Sequence, residues 1–167
     1  MLETVSAQTE VVDGVEYRDV WQKNDKTVRR DAMALGARTG SGTGNFTPEA
    51  WAKGLCVVAY DRSELVAIAA GEIRFAQRMR ANMAFLRVFV SPEHRKRGLV
   101  VPLTYKFHDV MRRYALTQPE IRIGGTMAIV TVKGHMDEPV TKADMVLIGY
   151  SPKGEPLIAR WFDHFTL

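Results

Sequence analysis

Cysteine is almost missing: Cys56 is the only one in 167 residues, so no internal disulfide can form and a reducing compartment is expected. It stands in the apolar run Leu55, Cys56, Val57, Val58, Ala59, Tyr60, where a thiol reads as a small buried hydrophobe rather than a nucleophile. No apolar run approaches the roughly 20 residues that a membrane-spanning helix needs. Residues 1–16 carry Glu3, Glu10, Asp13 and Glu16 and lack both a basic start and an apolar stretch. A secretory signal is therefore not expected, and the expected location is cytoplasmic. Repeats, low-complexity tracts and long linkers are also lacking, which implies a single domain over residues 1–167 with its core at about 17–165. His94, His108 and His164 show no metal-site spacing with Cys, Asp or Glu. Ser63, Ser91 and Ser151 lie in turns without the glycine context of a nucleophile elbow, so neither a metal nor a nucleophilic triad is expected.

What is present is the composition of a soluble globular domain, 46% hydrophobic and 25% charged. The net charge is +4, and the cations are unevenly spread. Arg74, Arg78, Arg80, Arg87, Arg95, Lys96, Arg97, Lys106, Arg112 and Arg113 occupy the middle of the chain, where few acids interrupt them. A field of one sign attracts a polyanion, either a phosphorylated cofactor or nucleic acid. Taken singly, each cation reads as part of a solvated face. Trp21, Trp51 and Trp161 supply stacking surfaces if nucleic acid is the partner, and core packing if it is not.

Periodicity predicts a helix over residues 17–38 around Val28, Ala32 and Leu35, capped by Asn24 or Asp25. The glycine loop at Gly40, Gly42 and Gly44 follows, then a short helix with Thr47 as cap and Pro48 in first position. Residues 55–60 and 65–73 predict two strands joined by a tight turn, and 82–90 a third. Leu103, Phe107, Val110 and Tyr114 recur at helical spacing, with Lys106 and Arg113 among the outer residues. Pro102 fits if that helix starts near Leu99, because the first helical N–H groups have no intrahelical acceptor. Residues 126–132 predict another strand, 138–144 a short helix or irregular connection, and 146–150 with 157–165 a closing hairpin. Helices first, then strands, gives a mixed α/β (α+β) domain with a mostly antiparallel sheet flanked by helices.

The densest chemistry lies in residues 88–104. An apolar strand ends at Val90, Pro92 and Glu93 follow, and Arg95, Lys96 and Arg97 lead to Gly98, where the helix is expected to begin. Backbone N–H groups, a helix dipole and three cations at one point suit a pyrophosphate. This segment resembles the acetyl-CoA-binding segment of the GCN5-related N-acetyltransferase (GNAT) superfamily. The family pattern is Arg or Gln, two residues, Gly, one residue, then Gly or Ala. Arg95 and Gly98 match it, and Val100 departs from it. Gly40, Gly42 and Gly44 do not follow a strand, so they are not a dinucleotide fingerprint.

The resemblance implies acyl transfer from acetyl-CoA or another acyl-CoA to an amine, by direct transfer. It implies that Phe89 or Val90 supplies the N–H that polarises the thioester. Arg95, Lys96, Arg97, Gly98, Leu99 and Val100 would then hold the cofactor. Many relatives carry a Glu on the strand before the turn, but residues 82–90 contain no acid. Glu72 is the nearest substitute as general base, and pairing with Arg74 is its competing role. Where many relatives have a Tyr five residues before a Gly-aromatic pair, Gly149 and Tyr150 are preceded by Met145. Tyr150, Tyr105 and His135 are the remaining acids, with Tyr150 preferred. The partners implied are a small-molecule or protein amine, no membrane, and a homodimer as an open oligomeric state. A nucleic-acid-directed modification enzyme or binding module on the same scaffold is the alternative, and a silent CoA-binding regulator a third reading.

Overall fold

A computed structural model describes residues 9–39, 48–131 and 140–166. The Gly40, Gly42 and Gly44 loop, Thr47 and His135 lie outside the described residues. Two strands, β1 (Thr9–Val12) and β2 (Val15–Asp19), open the described chain. They correct the expectation of a helix from Tyr17 and of helices first. Asp13 and Gly14 hold positive φ angles of 50° and 77°, the two-residue hairpin geometry that matches strand twist. Val15 and Tyr17 are buried and Glu16 between them is not, a period of two rather than 3.6.

Helix α1 (Lys26–Thr39) starts after Asp25, whose Oδ1 accepts the N–H groups of Thr27 and Val28 at 2.9 and 3.1 Å. Asp25, not Asn24, is the cap. Its face of Val28, Ala32 and Leu35 packs with Trp51 of α2 (Pro48–Lys53) and with Val58, Leu65 and Ile68. Those last residues belong to β3 (Leu55–Asp61) and β4 (Glu64–Ala76). Arg62 and Ser63 join the two strands with φ of 47° and 69°. β4 runs three residues past the expected end at Ile73.

β5 (Ala81–Val90) leads through a turn to α3 (Val100–Thr117), and β6 (Ile123–Ile129), β7 (Val146–Tyr150) and β8 (Pro156–Trp161) follow. The strands are hydrogen-bonded in the order β1-β2-β3-β4-β5-β6-β8-β7. β5 and β6 are parallel, and the β1–β2, β2–β3, β3–β4, β6–β8 and β7–β8 pairs are antiparallel. The mixed, mostly antiparallel class is as expected. β6 begins at Ile123 rather than at residue 126. Gly124 and Gly125 are strand residues, Gly125 paired with Trp161, and a side chain has no room there: a Cβ on Gly125 would stand 2.3 Å from the Arg160 carbonyl oxygen. The final strand stops at Trp161, and residues 141–144 form a turn between Val140 and its bridge partner Val146.

The chain forms two compact units, Met1–Ala70 with Val88–Phe107, and Gly71–Arg87 with His108–Leu167. In the first, the α1 and α2 faces close on β3 and β4. In the second, Met83, Met127 and Ala159 pack with Phe85, Ile148 and Leu157. Buried here too is His108, with Nδ1 3.0 Å from Thr126 Oγ1 and its ring 4.9 Å from Phe162. Burial, helped by Arg160 and Arg112, pushes its pKa from 6.5 down to about 4.

Two expected outcomes follow from this packing. Gly125→Ala forces backbone apart and should cost about 2 kcal/mol or more in urea unfolding. An unchanged midpoint would contradict the contact. Because the folded state keeps His108 neutral, acid favours the unfolded chain, and stability falls as pH drops from 6.5 towards 4. His108→Gln should therefore lose less of its urea midpoint between about pH 7 and about pH 4.5 than the parent does. Parallel pH curves would show that His108 is not the source.

Candidate functional site

The strand-to-helix turn lies wholly within the first unit. The Ser91 N–H donates to the Val66 carbonyl at 2.8 Å, fixing the exit of β5 against β4. Pro92–Arg97 then winds as a short 3-10 turn, and Gly98 closes it in the left-handed region with φ 71°. α3 starts at Val100 rather than at the expected Gly98, because Gly98 is a left-handed stop between two right-handed turns. Leu99 is buried, and its carbonyl accepts the Leu103 N–H at 3.1 Å. The N–H groups of Val100 and Val101 precede that first bond and have no intrahelical acceptor, while Pro102 has no N–H.

A Cβ built on Gly98 meets no atom within 4 Å, so the space over the turn is open. Arg95, Lys96 and Arg97 are exposed, and Val100 is half exposed. These residues fit a diphosphate: open amides, an unobstructed glycine and positive charge converge there.

The turn also contains an array that the sequence did not disclose. Ser91 Oγ lies 2.7 Å from His94 Nδ1, and His94 Nε2 lies 3.2 Å from Asp61 Oδ2. Arg97 donates to the same Oδ2 at 2.5 Å, and through Nη2 to the Asp13 carbonyl at 3.3 Å. The Arg97 guanidinium, with His94 beside it, holds the Asp61 carboxyl below the usual carboxylate range. The expectation from sequence is that no nucleophilic triad is present, and this contact array does not make one. Ser91 is only 1% exposed, so no substrate reaches its Oγ and the array is not a nucleophilic relay. Asp61 and His94 are 33 residues apart in sequence. Only the pairing of β3, β4 and β5 reveals that they meet.

The other expected residues are distributed as follows. Val90 is buried, and Phe89 meets Trp51 edge-on at 6.2 Å. The β5–β6 ladder ends at Phe85↔Met127, while β5 runs on to Val90. Arg95 Nε reaches back to the Val90 carbonyl at 3.4 Å. Glu72 and Tyr150 belong to the second unit, on strands that are not neighbours in the sheet. Glu72 Oε2 lies 3.6 Å from Arg74 Nε, and the Arg74 guanidinium lies 4.1 Å over the Phe85 ring. Tyr150 is 56% exposed on β7, whereas Met145 is buried. Trp51 is core, while Trp161 is 41% exposed and stacks on Phe165.

A separate cleft of about 240 Å³ is lined by Gln22, Asn24, Asp25, Arg29 and Lys53. It also touches Leu55, the first residue of β3, whereas Asp61 at the other end of that strand meets the turn. Among the described residues no group of three or more His, Cys, Asp or Glu is placed to hold a metal. No helix among them is long and apolar enough to cross a membrane.

No family model and no curated protein matches the chain. Solved structures do. The chain is similar to a ribosomal-protein-S5-alanine acetyltransferase from Vibrio fischeri, with TM-score 0.61 and 11% identity over 96% of this chain and 100% of that one. It is similar to a Salmonella typhimurium protein solved with acetyl-CoA as its cofactor, with TM-score 0.60 and 15% identity over 93% and 98%. A GNAT-family acetyltransferase from Listeria monocytogenes gives TM-score 0.59 at 11% identity over 93% and 100%. The fold is that of the GNAT acetyltransferases. At such identities the likeness defines the fold and not the reaction.

Proposed function

We propose that the chain is an acyltransferase that moves an acetyl or other acyl group from CoA to an amine. The observation that carries this reading is the turn at Gly98. In a GNAT fold, an exposed basic turn delivers open space and unpaired helix amides at the end of β5. Residues 1–167 are read as one acyltransferase domain with its core at 17–165, since β4, β5 and α3 each contribute to both compact units. A cytoplasmic location accords with the buried, lone Cys56.

Bound acyl-CoA supplies an activated thioester. The backbone N–H groups of Gly98, Val100 and Val101, with Arg95 and Lys96, bind and orient its diphosphate. The N–H of Phe89 or Val90, on the part of β5 beyond its last pair with β6, would be the donor that stabilises charge on an acyl oxygen. Glu72 takes the proton from the amine, with the Arg74 Nε 3.6 Å from its Oε2. Tyr150, exposed on β7, is the hydroxyl that would return a proton to a departing thiolate. Val100 replaces the small residue of the family pattern, and its exposed side chain narrows the approach to the helix.

The nucleic-acid reading loses support where its stacking and basic groups already have partners within the chain. Trp51 is buried, Arg74 covers Phe85 and Arg97 meets Asp61.

Calorimetry with CoA should show binding by the parent chain and none by Gly98→Trp, with the circular dichroism spectrum kept because the added ring meets no neighbour and the strain of a non-glycine residue at φ 71° is confined to the turn. Equal affinity for both would place the cofactor elsewhere. Val100→Gly should tighten binding several-fold. With an acceptor found by mass spectrometry of acylated products from an amine panel, Glu72→Gln should lower kcat by about 100-fold and Tyr150→Phe by about tenfold. An unchanged kcat for either removes that residue from the mechanism.

A further inference from the structure

The geometry points to Asp61 as the positioning residue of the diphosphate cradle, its single carboxylate fixing His94 and Arg97 so that the turn at Gly98 keeps its amides outward. This inference rests on the reading of the turn as an acyl-CoA site. It adds a residue that lies outside the turn and does not itself touch the cofactor.

Asp61 is well placed for this task. It is the last residue of β3 and is paired on both sides, with Val15 of β2 and Glu64 of β4. The hairpin beyond it is two residues long, both in the left-handed region. Its backbone is therefore a fixed point from which a short side chain reaches across to the turn.

The contacts span the turn from the residue before it to its last residue. Ser91, before the turn, is held by Val66 through its N–H and meets His94 Nδ1 through its Oγ. His94, in the middle, meets Asp61 Oδ2 through Nε2. Arg97, at the end and immediately before Gly98, meets the same oxygen. The His94 N–H also donates to the Ser91 carbonyl at 2.9 Å. Ser91, His94, Asp61 and Arg97 thus brace both ends of the 3-10 turn against one carboxylate.

Electrostatics favours such a brace. Arg95, Lys96 and Arg97 are consecutive cations that repel one another, and one anion at the end of the run offsets part of that repulsion. The brace also divides their labour. Arg97 spends Nη1 on Asp61 and Nη2 on the Asp13 carbonyl, so it belongs to the frame, and Arg95 and Lys96 supply the outward charge.

The test is a binding measurement that needs no acceptor. Calorimetry compares CoA with pantetheine, which shares the thiol arm and lacks the diphosphate. The parent chain should bind CoA more tightly than pantetheine. Equal affinities would overturn the diphosphate reading itself, and this inference with it. Given that preference, Asp61→Asn should lose about tenfold in CoA affinity and less than about twofold in pantetheine affinity. His94→Gln, which breaks the array from its other end, should show the same selective loss. Arg97→Gln placed in the Asp61→Asn background should add little, because the two act as a unit. The inference is overturned if Asp61→Asn binds CoA as the parent does, or weakens both ligands alike, as general loosening of the fold would. A full further loss on adding Arg97→Gln would also overturn it, by making Arg97 a direct phosphate ligand.

Discussion

At the end of β5 the chain must leave an extended ladder, turn, and enter a right-handed helix without spending the first amides of that helix on itself. Gly98 meets this requirement by taking a positive φ that other residues resist. The residues around it fix where the reversal occurs: Pro92 opens the 3-10 turn, buried Leu99 pins the chain to the core, and Pro102 removes an N–H inside the first helical turn. The consequence is a patch of backbone whose first helical N–H groups have no intrahelical acceptor, beside three cations. A diphosphate is the ligand class that such a patch satisfies best.

The positive charge of the chain is sorted by this architecture rather than spread over a surface. Arg18 lies over Tyr60 and Arg74 over Phe85. Lys106 pairs with Glu10, and Arg112 and Arg113 with Asp109. Arg97 is taken by Asp61. Much of what reads as one basic field in sequence is therefore local pairing, in which each cation covers an aromatic face or offsets an acid. The turn differs because Arg95 and Lys96 stay exposed beside open amides, and there the summed field and the backbone geometry act on the same ligand.

Local signals made much of this legible from sequence. The helix α3 follows from Leu103, Phe107 and Val110 at helical spacing, all buried as the pattern requires. The β3–β4 hairpin follows from two apolar runs around a polar turn, and α1 from Val28, Ala32 and Leu35. The misses have physical causes. β1 is exposed at every position, so it carries no burial pattern, and the strong helical period after Asp25 masked the short alternation of Val15 and Tyr17. The Asp13–Gly14 pair was the available signal for that hairpin. Gly124 and Gly125 imitate a loop because a tight strand contact and a flexible turn both demand glycine. The meeting of Asp61 with His94 and Arg97 had no local signature, since it depends on strand pairing between distant segments.

The central claim is that the amides on either side of Gly98 hold a diphosphate, and amide hydrogen exchange with and without CoA reads those groups directly. The account predicts slowed exchange at residues 96–101 and at the end of β5 when CoA is added, with the cleft beside Asp25 and Arg29 unaffected. Unchanged exchange at residues 96–101, or protection that appears only at that cleft, would contradict it.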